Sequence, residues 1–239
     1  MLPMMRGAGP IAWYQATAAL RSMGGIIIVL GVMLGSLGLM FFIMIRNHEA
    51  LYSMLGVAWG VTFFLLPLQL QFDFRGDIDR MDLLKTLPCS PYVIAAGEML
   101  APVCAMSAVH LILGLGMLAA GYSHPEFVLV GLLFVVPVNF IVIAMENLAF
   151  LLFPVRMTVG EAPGPQVAMR QMMMMFVKTI FVLMLTGFAA LMGLVAHKLT
   201  GQIAVGIVVA WLVVVAFSAG LLPVLGWAFA RFDPSVLVD

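Results

Sequence analysis

The sequence has little charge and little cysteine. Only 9% of its 239 residues are charged and the formal net charge is zero, whereas a soluble domain is typically about 25% charged. A chain with 64% hydrophobic residues would not stay dissolved in water. The zero net charge gives no reason to expect a nucleic-acid partner. Cys89 adjoins a charged segment and Cys104 lies in an apolar run, so we expect no disulfide between the two cysteines.

Several catalytic and nucleotide-binding motifs are also missing. The sequence contains no G-x-x-x-x-G-K-[ST] phosphate loop, so any ATP hydrolysis would have to come from a partner. His48-Glu49 is not followed by the second histidine of an H-E-x-x-H metalloprotease helix, and no G-x-S-G-like element occurs. We therefore expect a protein that is not an enzyme and that has no cofactor or metal site of its own.

Long apolar runs dominate what is present. A helix needs about 20 apolar residues to cross the roughly 30 Å hydrocarbon layer. Because lipid cannot form hydrogen bonds with unpaired backbone amides, such runs must be helical. The sequence predicts an all-α membrane protein with one transmembrane domain over 1–239. Its six predicted spans cover about 24–45, 50–72, 91–120, 126–153, 174–197 and 202–230.

The basic residues predict the orientation of these spans. Nine Lys and Arg residues fall on the side of the termini: Arg6, Arg21, Arg75, Arg80, Lys85, Arg156, Arg170, Lys178 and Arg231. The other side has only Arg46 and Lys198. Because basic residues mark cytoplasmic loops, both termini and the 155–173 loop are predicted to be cytoplasmic. Residues 10–21, with Trp13 at headgroup level, predict a short interfacial helix.

A dense charged insert separates the second and third spans. Seven of the 22 charged residues lie between Asp73 and Lys85. Apolar residues recur at positions 78, 81, 84 and 87, which predicts a helix over 78–87 with one apolar face. Asp77 is expected to cap this helix and Pro88 to end it. Neighbouring charges are expected to pair as Arg75–Asp79, Asp77–Arg80 and Asp82–Lys85.

Two interpretations of the insert are open. It is either a solvated loop that prevents translocation or a docking element that passes movement from a soluble partner to the adjoining spans. A free loop would have no need of an apolar helical stripe.

The insert and the span after it resemble a known family. "DLLKTLPCSPYVIAAGEMLAPV" resembles the cytoplasmic loop and following helix of ATP-binding-cassette (ABC) type-2 exporter permeases, in which a leucine-rich stretch ends in Leu-Pro. "DFRGDIDRMDLLKTLP" and "ENLAFLLFPVR" are closer still to a bacterial group of ABC exporters. The specific similarity covers about 71–104 and 140–156. Related chains often carry more membrane sequence before this part, so the chain is expected to be a half-size permease or part of a longer one.

The resemblance implies a permease in the bacterial cytoplasmic (inner) membrane that pairs with a second permease copy, as a homodimer or heterodimer. Two separate ATPase subunits would bind ATP and Mg²⁺. The insert would be the coupling helix that contacts them. Its implied coupling residues are Asp73, Arg75, Asp77, Arg80, Asp82, Leu83, Leu84 and Lys85.

Polar residues inside the predicted spans form a second candidate site. A charge at mid-membrane costs about 2.5–3.5 kcal/mol on insertion scales. Glu98 and Glu146 are predicted at similar depth near the cytoplasmic face, with Asn147 and Lys178 close to them. Such residues either pair and fix the bundle or line a gate. His110, in the middle of the third span, is expected to hydrogen-bond a neighbouring helix or to take part in transport.

The main alternative function uses these polar residues directly. An ion- or proton-coupled secondary transporter would carry its cation on Glu98, His110 and Glu146. The usual inverted repeat of such carriers is not evident in the sequence.

Overall fold

The computed structural model describes residues 7–18, 35, 62–63, 67, 73–119, 124–154 and 165–233, with only the backbone given for 165–168, 170 and 171. Within these ranges the regular structure is helical and contains no strand. Helix α1 covers 8–18, and a 3-10 turn at Ile78–Arg80 leads into the short helix α2 at Met81–Thr86. Four long helices follow: α3 at Pro91–Ala119, α4 at Pro125–Leu152, α5 at Pro165–Thr200 and α6 at Ile203–Arg231.

The four long helices are each long and apolar enough to cross a membrane. They coincide with the predicted spans three to six, so the helical character of the described residues is confirmed, together with four helices whose length and composition suit a membrane span. The predicted spans at 24–45 and 50–72 lie almost wholly outside the described residues. The six-span arrangement therefore stays a prediction.

Proline marks the starts of three long helices. Pro91, Pro125 and Pro165 each stand at a helix start, where the missing N–H would have no partner in any case. Helix α5 begins at Pro165 instead of near 174, so part of the predicted 155–173 loop is helical. The apolar run predicts where a helix lies in lipid, but a helix can continue into water beyond that run. Gly201, at a φ of 71°, ends α5 in the left-handed conformation that glycine adopts readily.

Helix α6 packs against α3, α4 and α5. Its contact with α5 depends on two small residues that face each other. A Cβ added to Gly206 would lie 2.7 Å from the carbonyl oxygen of Gly193, and one added to Gly193 would lie 2.7 Å from that of Gly206. The two backbones can approach this closely because neither residue has a side chain.

The apolar face of the insert packs against the chain's own bundle. Met81 and Leu84 are buried, as their helical spacing indicated. Phe74 is fully buried and stacks on Phe229 of α6, with ring centroids 4.9 Å apart. The Lys85 ammonium donates a hydrogen bond to the carbonyl of Phe232, just beyond the end of α6. The apolar stripe therefore anchors the insert to the bundle.

The predicted form of the insert helix needs two corrections. The single helix over 78–87 is a 3-10 turn followed by a helix of six residues. Asp77 makes no side-chain capping bond to it, because its carboxylate accepts a hydrogen bond from Gln15 instead.

Candidate functional site

A buried polar network joins the insert to the long helices, and Asp73 lies at its centre. Asp73 is fully buried. Its carboxylate accepts hydrogen bonds from Arg75 Nη2 at 2.8 Å and from Nδ2 of Asn147, on α4, at 2.8 Å. Arg75 Nη2 also donates to the carbonyl of Pro67 at 2.9 Å. Asp73 thus connects the start of the insert to α4.

Glu146 connects the same network to α5. Lys178 of α5 forms an ion pair with Glu146 of α4. Arg75 Nη1 lies 3.5 Å from the other carboxylate oxygen of Glu146. Burial has the largest single effect on the pKa of Arg75 and lowers it. The carboxylates of Asp73 and Glu146 together outweigh burial, so the pKa of Arg75 is raised. The guanidinium therefore bridges the insert and α4 as a permanent cation.

Gln15 of α1 links the insert to α3. Its side-chain nitrogen donates to Asp77 Oδ2 and to Glu98 Oε2, both at 2.6 Å. Gln15, Asp77 and Glu98 are all buried. The second oxygen of Glu98, Oε1, is buried and has no hydrogen-bond partner among the described residues.

Asp77 is held in an environment that disfavours its negative charge. Burial raises its pKa, and the nearby charge of Asp73 raises it further, while the hydrogen bond from Gln15 opposes both. The predicted ion pair between Asp77 and Arg80 is confirmed at 3.9 Å. Because more than half of the Arg80 side chain is exposed, this pair offsets little of the burial cost.

Gln15 was not among the predicted site residues, although the sequence held a signal for it. Ala8, Ile11 and Ala12 are the buried apolar residues of α1, and Gln15 continues their helical spacing on the same face. A polar residue in the register of a buried stripe needs a buried partner. The close approach of α1 to α3 depends on Gly97, where an added Cβ would lie 2.8 Å from that of Ile11.

A second polar cluster lies around His110, farther along α3. His110 is fully buried, and its Nε2 lies 2.9 Å from the hydroxyl of Thr62. Its Nδ1 lies 2.9 Å from the carbonyl of Met106 and 3.4 Å from Nδ2 of Asn139, on α4. His110 therefore makes the predicted hydrogen bond to a neighbouring helix. Among the described residues, no hydrogen bond or ion pair joins this cluster to the network of Gln15, Asp73 and Glu146.

The predicted coupling residues divide into an inner and an outer group. Asp73, Asp77 and Leu84 are buried, and Arg75 is nearly so. The outer group is exposed and consists of Arg80, Asp82, Leu83 and Lys85. Leu83 has 63% of its surface exposed although it is a large apolar residue. The insert thus presents one face to the bundle and another to its surroundings.

Comparison with known proteins identifies no relative. No family model matches the chain, and no curated protein or solved structure matches it significantly. No group of three His, Cys, Asp or Glu side chains within the described ranges is arranged to hold a metal ion.

Proposed function

We propose that this chain is the transmembrane permease subunit of an ABC-type exporter, driven by separate ATPase subunits that dock on the insert. The observation that carries the proposal is the two-sided construction of the insert. Its inner face is fixed to the long helices, while its outer face exposes Leu83 beside charged side chains. A segment built in this way can be displaced by a bound partner and can transmit that displacement to the spans.

The inner face supplies the mechanical connection. Asp73 reaches α4 through Asn147, and Arg75 reaches Glu146, which is paired with α5. Asp77 reaches α3 through Gln15 and Glu98. Buried charged hydrogen bonds of this kind resist being pulled apart, because separating them leaves uncompensated charge in an apolar surrounding. A displacement of the insert would therefore move α3, α4 and α5.

The outer face supplies the docking surface. Asp79, Asp82 and Leu83 are exposed on the insert. An exposed leucine surrounded by charges is typical of a small binding surface with an apolar centre and a polar rim. In the proposed assembly, ATP and Mg²⁺ are bound by the ATPase, a second permease copy completes the pathway, and the insert faces the cytoplasm of a bacterium. The lipid bilayer is the other expected partner, and no nucleic acid is involved.

A charge reversal at the outer face tests the proposal. The chain is co-expressed with an ATPase subunit that copurifies with it, and ATP hydrolysis by the reconstituted complex is measured. Asp82→Lys is expected to lower permease-stimulated hydrolysis by roughly tenfold or more. The substitution reverses a charge at the rim, so the new lysine would repel a partner surface that is complementary to Asp82. The matched control is Glu126→Lys, which reverses an exposed carboxylate at the end of α4 that is distant from the insert. Equal hydrolysis in the two variants and the wild type would contradict docking at this surface.

The second candidate is an ion- or proton-coupled carrier, and it is favoured by the buried oxygen of Glu98 that has no hydrogen-bond partner in the described part of the chain. The predicted trio does not form one site in the structure. Glu98 contacts Gln15, Glu146 contacts Arg75 and Lys178, and His110 belongs to the separate cluster with Asn139. Transport that continues without any ATPase and stops when the proton gradient is abolished would select this candidate.

A further inference from the structure

The carboxylates of Asp77 and Glu98 lie side by side in a buried position with too little positive charge around them. Both accept from the same nitrogen of Gln15 at 2.6 Å, so the two accepting oxygens are no farther apart than twice that distance. The amide is neutral and can donate one hydrogen to each oxygen, but it cannot offset a charge. Two like charges at this separation in an apolar surrounding cannot both be retained cheaply.

The cations of the network are occupied by other carboxylates. Arg75 contacts Asp73 and Glu146, and Lys178 contacts Glu146. No described Lys or Arg forms a salt bridge with Glu98.

The remaining charged groups do not change this balance. Arg80, from the insert, reaches Asp77 only at 3.9 Å and is mostly exposed. Helix α1 contributes the neutral Gln15, and α4 contributes Glu146 with the neutral Asn147. The charged residue at the end of α6, Arg231, is exposed and lies over the ring of Trp227.

We propose that Asp77 and Glu98 together bind one proton, with Gln15 as the positioning residue, and that this proton fastens the insert and α1 to α3. A proton fits the site better than a metal ion, because the Gln15 amide points one hydrogen at each carboxylate and these hydrogens would repel a metal cation. The second observation that supports the site is Oε1 of Glu98, which is buried and accepts no hydrogen bond from any residue that the structure describes. Burial also raises the pKa of Asp77.

The direction of the pH effect follows from the charge balance. At low pH the pair holds its proton and the three segments stay together. As the pH rises and the proton leaves, two adjacent negative charges remain with only the neutral amide between them. The contact is then weakened, and the insert separates more readily from α3. This inference does not depend on the proposed function, since it concerns a proton and not a partner protein.

Infrared spectroscopy of the full chain in lipid nanodiscs tests the proton directly. A carboxylic-acid C=O band is expected at neutral pH, and it is expected to disappear on raising the pH. Glu98→Gln and Asp77→Asn are both expected to remove the band, whereas Glu126→Gln, at an exposed position, is expected to leave it. If no variant at 77 or 98 altered the band, or if the wild type had none, the proposal would be overturned. Loss of the band on adding sodium at constant pH would show that a metal cation displaces the proton, and it would overturn the proposal as well.

Hydrogen exchange of residues 73–88 tests the consequence for the insert. In the wild type, protection of this segment is expected to fall by about tenfold across the titration, because the two negative charges left on Asp77 and Glu98 weaken the contact that holds the insert. In Glu98→Gln the side chain stays neutral, so protection is expected to remain constant over the same range. Protection that changes equally in wild type and variant would contradict a fastening role. Asp77→Asn provides the same test should Glu98→Gln fail to fold.

Discussion

At the scale of single residues, the charged side chains of the insert point in two directions. Asp73 and Asp77 are buried, whereas Asp79 and Asp82 are exposed. The buried carboxylates are bound by donors from α1 and α4 and by Arg75. Removing one partner of such a buried pair is expected to cost more stability than removing the whole pair.

The Lys178–Glu146 pair provides a direct test of this. Lys178→Met is expected to destabilise the chain by about 3 kcal/mol, at the low end of the range for breaking a buried pair, because Arg75 still contacts Glu146. The measurement is reversible unfolding in mixed detergent micelles. The double variant Lys178→Met with Glu146→Leu is expected to recover part of the loss.

A lysine at the other end of the same helix serves as the control. Lys198→Met changes an exposed side chain of α5 and is expected to alter stability by less than about 0.5 kcal/mol. Similar losses for the two lysine variants would mean that the buried pair has no special role in stability.

At the scale of elements, the sequence predicted the helices better than their contacts. Apolar length located α3, α4 and α6 to within a few residues, and Pro125 marked a helix start. The start of α5 was missed, because hydropathy reports the part of a helix in lipid and not the part beyond it. The close contact between α5 and α6 was not predicted, and it uses Gly193 and Gly206.

The α5–α6 contact predicts a difference between two glycines of α6. Gly206→Ala is expected to destabilise the chain by about 1–3 kcal/mol, because the new Cβ would meet the carbonyl of Gly193 at 2.7 Å and the backbones must separate. Gly220→Ala is the control, since a Cβ there meets nothing within 4 Å. Thermal unfolding of the two variants in one detergent gives the comparison. Equal melting temperatures would show that the close contact is not required.

At the scale of the whole molecule, the insert is the place where helices distant in sequence meet. Composition and periodicity predicted an apolar bundle and an amphipathic insert. They did not predict which acidic residues turn inward, because that depends on donors such as Gln15 and Asn147 that are far away in sequence. The polar site was therefore predicted only in part: Glu98, Glu146, Asn147 and Lys178 were expected at similar depth in the spans, but their connection to the insert was not predicted and Gln15 was missed.

We propose that the outer face of the insert contacts an ATPase. Photo-crosslinking from position 83 in native membranes tests it most directly, with position 127, exposed at the opposite end of the bundle, as the control. The probe replacing Leu83 is expected to form an adduct with an ATP-hydrolysing subunit, and the probe replacing Phe127 is expected to form none. A probe at 83 that reaches only lipid, or reaches the ATPase no more than the probe at 127 does, would rule out docking at this face.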